Sequence, residues 1–283
     1  RRKLTIDKTY LSLDQAEARG FIHRDYIAHC LRWTHFIKCI SQGGAYKTAR
    51  VLDIGCGREI PLAKTLYSSR LIPAEYVGVD VGPIPDEEIE QVGGKFPGKF
   101  YEHTDFGSES ISDEMQPFDF ITCFEVLEHV EPQHALHILK HIRDSLTDDG
   151  RAFLSTPCWN GVDCAANHVN EMRYDTFGAM INAVGLQVYQ SYGTFASQSE
   201  ILPVMDPNDR RLFDELRSYY DSNFLSCIFA PKYAAHSRNA LWLVRRGEDH
   251  KFNIEEISEP HGSSEQWLSW RSWWPGLISE LNK

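Results

Sequence analysis

The residues with the most chemical content are two glycines, two positions apart, flanked by acids. Val51-Leu-Asp-Ile-Gly-Cys-Gly57 reads as a buried parallel strand that ends in a tight turn. Glycine tolerates backbone angles closed to other residues, so amides at such a turn can approach a ligand closely. A second strand, Glu75-Tyr-Val-Gly-Val-Asp80, also ends in a carboxylate, where a dinucleotide-type fold grips ribose hydroxyls. Further on, Asn167-His-Val-Asn-Glu171 pairs an imidazole with a carboxylate three residues later. Histidine is the side chain whose ordinary pKa lies near working pH, so His168 is the candidate base, with Glu171 beside it. The alternative for His168 is a structural histidine at the start of the next helix.

Taken in order, these elements resemble the class I S-adenosylmethionine-dependent methyltransferases. Asp53, Gly55, Cys56 and Gly57 match the family's first motif, and Asp80 with Val81 matches its ribose-binding acid. Asp105 and Phe106, in Tyr101-Glu-His-Thr-Asp-Phe106, match the acid that contacts adenine. Phe124 and Glu125 stand at the end of a fourth strand, followed by Glu128-His129, a pair that in relatives shapes the helix start. Gly150–Pro157 resembles the fifth strand, and the likeness spans about Ala49 to Arg246. The resemblance implies S-adenosylmethionine as cofactor, held by the ten residues from Asp53 to Glu125 just named. No metal is expected, because Cys158, Cys164 and His168 lack the paired short spacing of structural zinc sites. One departure is that Arg58-Glu-Ile-Pro61 stands where many members carry a third glycine. Pro61 suits a first helical turn, where its missing amide costs little.

Methyl transfer from a sulfonium is an in-line displacement on an activated carbon, so the enzyme mainly positions its substrates and deprotonates a hydroxyl acceptor. His168 and Glu171 are the catalytic candidates on the acceptor side. Cys158 occupies the place of the nucleophile in RNA cytosine-C5 methyltransferases. Their companion Pro-Cys is absent, because this chain has Cys123-Phe-Glu125 there, and the Pro-Pro-Tyr signature of amine-directed DNA enzymes is absent too.

The elements needed to position these residues alternate as strand and helix, the pattern of an α/β doubly wound, Rossmann-like, mostly parallel sheet. Its last strand, Ala240–Arg245, is expected to be antiparallel. The resulting layout is a helical amino-terminal cover (1–49), a donor-binding core (50–195), a lid-like insert (196–239), a final core strand (240–246), and a tail (247–283). Apolar spacing predicts a helix over Asp25–Ile40 facing the core through Ile27, Leu31, Phe36, Ile37 and Ile40, and another over Asp209–Ser222 in the insert. Asp148-Asp-Gly150 is expected to turn the chain from a helix into the fifth strand. In the tail, Trp267, Trp270 and Trp274 share one helical face that packs on the body, dimerises the chain, or stacks on bases.

The net charge of −11 argues against tight non-specific binding to a polyanion, although residues 1–50 carry ten Lys or Arg against four Asp or Glu. No stretch approaches the roughly eighteen apolar residues of a membrane span. Seven scattered cysteines without a Cys-x-x-Cys pair, and no apolar signal core behind Arg1-Arg-Lys3, point to a cytoplasmic protein. The chain does not begin with Met, so the native protein is expected to extend beyond it. The leading expectation is an enzyme methylating a hydroxyl or amine of a small molecule, nucleotide or sugar-like acceptor. Two alternatives remain: a nucleic-acid methyltransferase of phage type, and an inactive cofactor-binding partner subunit.

Overall fold

The computed structural model describes residues 24–108, 117–159 and 165–247, with side chains from Ile27 onward. The Trp-rich tail, and with it the expected helix of Trp267, Trp270 and Trp274, lies outside the described residues. Seven strands form one sheet: β1 (Arg50–Ile54), β2 (Glu75–Val79), β3 (Gly98–Tyr101), β4 (Phe118–Phe124), β5 (Leu146–Pro157), β6 (Leu186–Phe195) and β7 (Asn239–Arg246). Their order is β3-β2-β1-β4-β5-β7-β6. Strands β1 to β5 pair in parallel, and β7 runs antiparallel to both neighbours. The chain leaves β1 toward β2 and β3, then returns to lay β4 on the other side of β1. That reversal opens a crevice beyond the carboxyl ends of β1 and β4, where ligands bind in open α/β sheets.

Helices cover both faces, which is why the central strands are apolar throughout rather than alternating. On one face, α4 (Pro132–Ser145) and α5 (Tyr174–Ala183) bury Leu136, Leu139, Ile142, Phe177 and Met180 against Trp242. On the other, α1 (Arg24–Ser41) and α2 (Pro61–Ser68) bury Phe36, Ile40, Leu62 and Leu66 against Phe120 and Phe153. Each such side chain contributes roughly 1.5–3 kcal/mol through its burial. A short acidic helix, α3 (Asp86–Glu90), follows β2.

Three details differ from expectation. The buried stripe of α1 is Ala28, Arg32, Phe36 and Ile40, with Ile27, Leu31 and Ile37 only half-buried. The stripe is turned because Arg32, 1% exposed, pairs with Glu125 in the interior. Asp148-Asp-Gly150 does not separate helix from strand. β5 begins at Leu146, directly after α4, and these residues bulge out where pairing jumps from Phe118↔Leu146 to Phe120↔Arg151.

The expected single helix over Asp209–Ser222 is two, α7 (Pro207–Leu216) and α8 (Ser222–Phe229), after the one-turn α6 (Gln198–Ile201). Asp206 and Asp221 each accept two backbone amides at a helix start, and the second cap resets the helix axis. These helices bury a small cluster of their own, Ile201, Phe213, Leu225 and Phe229, beside the main core. Among the described residues, no helix is long and apolar enough to cross a membrane.

Candidate active site

A cavity of about 740 Å³ opens at the reversal point, walled by the ends of β1, β2 and β4 and the first turns of α4. Its floor is backbone. Gly55 and Gly57 lie at φ +68° and +73°, in the left-handed region that favours glycine. A Cβ on Gly55 would fall 2.3 Å from Cγ2 of Val126, so the loop and the segment just after β4 approach closely only because that position is glycine. The amides of Gly55 and Cys56 both donate to the carbonyl of Val79, stitching the loop to the end of β2. Ile60, at φ +42°, leads into Pro61 in the first turn of α2, so the segment without a third glycine still makes a strand-to-helix turn.

Asp80 stands across from this loop. Its Oδ2 accepts the Gly57 amide at 2.8 Å and its Oδ1 the Gly82 amide at 2.7 Å. Val81 lines the cavity at 71% exposure, with Asp105, Phe106 and Glu125 around it. Asp105 Oδ1 accepts the Gly107 amide and contacts Nε2 of His134, each at 2.8 Å. His134 also lines the cavity. Sequence reasoning missed it, although Pro132 marks the helix start that aims its side chain here.

Three residues named from the sequence do not reach the cavity wall. Asp53 lies beneath the loop, 4% exposed, with Tyr76 donating to Oδ2 at 2.5 Å and Thr122 to Oδ1 at 2.7 Å. Burial raises its pKa to about 6 against the opposing pull of those two donors, with the Asp80 charge adding to the rise. Cys56 is buried between the loop and β2, and burial pushes its thiol up. Phe124 packs into the face that holds α1, with the Arg32 guanidinium 5.9 Å from its ring centre.

Glu125 is the hinge between this cavity and a polar cluster. It sits at φ +57° and binds through both oxygens. Ser155 donates to Oε1 at 2.8 Å, Asn239 to Oε2 at 2.9 Å, and Arg32 pairs with Oε1 at 3.1 Å. The single-turn helix Leu127–His129 follows, and the strap 167–171 clamps onto it. The amides of Val169 and Asn170 donate to the Glu128 carbonyl, and the Asn170 side chain donates to Leu127 O at 3.0 Å. His168 and Glu171 are thereby brought to the cavity's edge. His168 Nδ1 lies 2.5 Å from Glu171 Oε1, and the His168 ring meets that of His129, a cavity-lining residue, at 4.8 Å. Arg238, from the segment before β7, lies 3.9 Å from Glu171 Oε2. Glu128 is 1% exposed, and burial, reinforced by the Glu125 charge, raises its pKa well above the carboxylate range.

Cys158 is buried with its thiol pKa pushed up by desolvation, the opposite of what a nucleophile needs. No residue of the insert lines the described cavity; the insert reaches cavity-lining Glu125 through Asn239, and Glu171 through Arg238.

Residues 23–191, more than half of the chain, match a family profile described as a methyltransferase domain. The chain belongs to this methyltransferase family. The matched span contains the cavity, the Glu125 hinge and the His168–Glu171 pair.

Among curated relatives, this methyltransferase is 30% identical over 115 residues to the ubiquinone biosynthesis O-methyltransferase of Salmonella paratyphi A, covering 40% of this chain and 44% of that protein. With the protein of the same name from Pseudomonas syringae pv. tomato it is 31% identical over 108 residues, covering 38% and 44%. The chain thus spans less than half the length of the curated relatives it matches. Solved structures agree in fold. The magnesium protoporphyrin IX methyltransferase of Synechocystis PCC 6803 superposes with a TM-score of 0.52 at 13% identity, covering 84% of this chain and 89% of that one. A methyltransferase from Haloferax volcanii, solved with its Trm112 activator, gives 0.50 at 12% identity, covering 84% and 98%.

Proposed function

We propose that this methyltransferase takes its methyl group from S-adenosylmethionine and delivers it to a hydroxyl of a small molecule. The observation that carries the reading is the His168–Glu171 pair at the edge of a cavity whose floor is two left-handed glycines. The cavity suits the donor in size, since small-molecule and cofactor sites run to roughly 300–1,000 Å³. It suits the donor in chemistry too, because Gly55 and Gly57 both hold left-handed backbone angles that a side chain disfavours, and two carboxylates, Asp80 and Asp105, face the cavity. In this reading Asp80 holds the ribose hydroxyls, and Asp105 with His134 holds the adenine end. Asp53 keeps the loop in shape from below. The bound donor supplies a methyl group on a positively charged sulfur, already activated for displacement.

The protein's remaining task is to place the acceptor and take up its proton. Glu171 fixes the His168 ring through Nδ1, which directs Nε2 as the proton-accepting nitrogen. The buried glutamate also stabilises the imidazolium that results, and Arg238 tempers that charge. We read residues 50–195 with β7 as the donor-binding unit, and α1 and the insert as additions that bring Arg32 and Arg238 to it. The names of the curated relatives, which are O-methyltransferases, support hydroxyl over amine. The net charge of −11 supports a small acceptor over a polyanion.

The test incubates the protein with methyl-labelled donor and a cell extract split by size, with nuclease treatment in parallel. Label in an alkali-stable ether within the small-molecule fraction is the expected result. Label in a nuclease-sensitive polymer, or on nitrogen, would overturn the reading.

A further inference from the structure

Arg32 is the charged member of the buried stripe of α1. It is 1% exposed, and its Nη1 lies 3.1 Å from Oε1 of Glu125. Its Nη2 contacts Nδ1 of His29, while its Nε has no hydrogen-bond partner among the described residues. A buried ion pair is a weak source of stability, and apolar side chains of similar volume often serve as well. The helix is anchored without it. Phe36 meets the rings of Phe120 and Phe153 edge-on at 6.2 and 5.2 Å, and His35 stacks on Tyr192 at 4.3 Å. Holding α1 down is therefore not what the Arg32–Glu125 pair is needed for.

The need lies at Glu125, whose φ of +57° is uncommon for a residue with a side chain. Such a backbone angle persists where the surroundings over-determine it. Here Ser155 of β5 and Arg32 of α1 hold Oε1, and Asn239 of β7 holds Oε2. Thr194 of β6 fixes Asn239 in turn, donating to its Oδ1 at 2.7 Å. Ser155, Asn239 and Thr194 belong to the sheet, whereas Arg32 arrives on a helix laid across it. The angle at Glu125 matters because of the next residue. Val126 lines the cavity beside Glu125, and its Cγ2 sits where a Cβ on Gly55 would be only 2.3 Å away. Turning residue 125 out of the left-handed region would swing Val126 away from the glycine loop or into it.

We propose that Arg32 is a positioning residue for the methyl donor. By pairing with Glu125 it holds the left-handed turn that seats Val126 against the glycine loop, so donor affinity depends on the docking of α1. Arg32 is not among the residues that line the cavity, and it acts through Glu125, which is. Coupling of this kind is reciprocal: a bound donor holds the amino-terminal helix more firmly in its turn. The role rests on the cavity being the donor's seat, and it does not depend on which acceptor is methylated.

The experiment measures S-adenosylmethionine affinity of the full chain by calorimetry, and hydrogen exchange of the α1 amides with and without saturating S-adenosylmethionine. Arg32→Met keeps the packing of the stem and removes the charge. Glu125, at 26% exposure, retains access to water, so this variant is expected to fold. Its donor affinity should fall roughly 50-fold, within the usual range for coupled sites. Arg32→Lys, which keeps the charge, should recover most of that loss. Donor binding should slow exchange along α1 in the wild type and not in Arg32→Met. In a Glu125→Asn background, where asparagine tolerates the left-handed angle, Arg32→Met should cost no more than a further few-fold. Phe36→Ala, which loosens α1 without touching Glu125, should lower the melting temperature more than Arg32→Met and donor affinity less. Affinity that simply follows melting temperature across these variants would reduce Arg32 to a packing residue and overturn the proposal. So would an undiminished loss in the Glu125→Asn background. Unchanged affinity in Arg32→Met would overturn it while leaving the cavity reading intact. Unchanged affinity in Gly55→Ala would sink the cavity reading, and the role of Arg32 with it.

Discussion

The donor cavity and the histidine–glutamate cluster adjoin each other, yet they are built by opposite means. The cavity floor is backbone, shaped over the few residues from Asp53 to Gly57 and braced by one carboxylate, Asp80. The cluster is made of side chains from three separated stretches, 125–129, 168–171 and 238, with Arg32 arriving from α1. The first needs correct φ values and empty space. The second needs several charged groups to be buried together and balanced. A site made of backbone tolerates changes in side-chain chemistry and fails when a side chain is added. A site made of charges fails when any one partner is removed.

The largest expected effect comes from breaking the backbone site. Gly55→Ala combines a left-handed position, unfavourable by roughly 1–2 kcal/mol, with overpacking against Val126 of about 1–3 kcal/mol. Donor affinity by calorimetry should fall several hundredfold, and Gly55→Ala with Val126→Ala should recover only the part due to contact. Equal affinity in the single variant would show that the loop is not the donor's seat.

Asp53 sharpens the contrast, because it is a charge-bearing group inside the backbone site. Its folded pKa of about 6 lies above the ordinary 3.8, so the folded state holds the proton more tightly. The stability this contributes is complete below about pH 4 and is lost as pH rises through about 6, by roughly 3 kcal/mol in all. Urea unfolding at pH 4 and pH 7.5 should show that loss in the wild type and not in Asp53→Asn. Parallel pH dependences would remove Asp53 from the account.

On the cluster side, His168→Ala should lower kcat about 100-fold, within the usual range for a lost proton-transfer group, while donor affinity stays unchanged. A loss of donor affinity instead would merge the two regions into one site. The smallest effect expected is in Asp80→Asn, which keeps the shape and removes the charge. Donor affinity should drop about 30-fold, roughly 2 kcal/mol, as charge-assisted hydrogen bonds become neutral ones.

The same contrast explains which features are legible in the residues alone. Strand-to-turn patterns at Gly55 and Asp80 are local, and the cavity forms where they indicate. The alternation of strands and helices is equally readable, because apolar periodicity records which elements bury a face. Arg32 is not legible: a charged residue reads as solvent-facing unless its partner is known, and Glu125 lies far away in sequence. The split of the insert into α7 and α8 escapes a reading of periodicity because Asp221 is one more polar residue until its cap geometry is seen. Glu128-His129 looks like part of a helix start, and nothing in its own stretch points to His168.

The chain's local chemistry is enough to specify the strands themselves, the glycine turn and the two carboxylates of the donor side. Each depends on interactions among near neighbours along the chain. Only the tertiary structure decided which faces bury Arg32 and Glu128, that Asp53 lies under the loop instead of in the cavity, and that the His129 and His168 rings meet. The physical reason is electrostatic. The state of a charged side chain depends on whichever groups surround it in space, and those groups here come from segments dozens of residues apart.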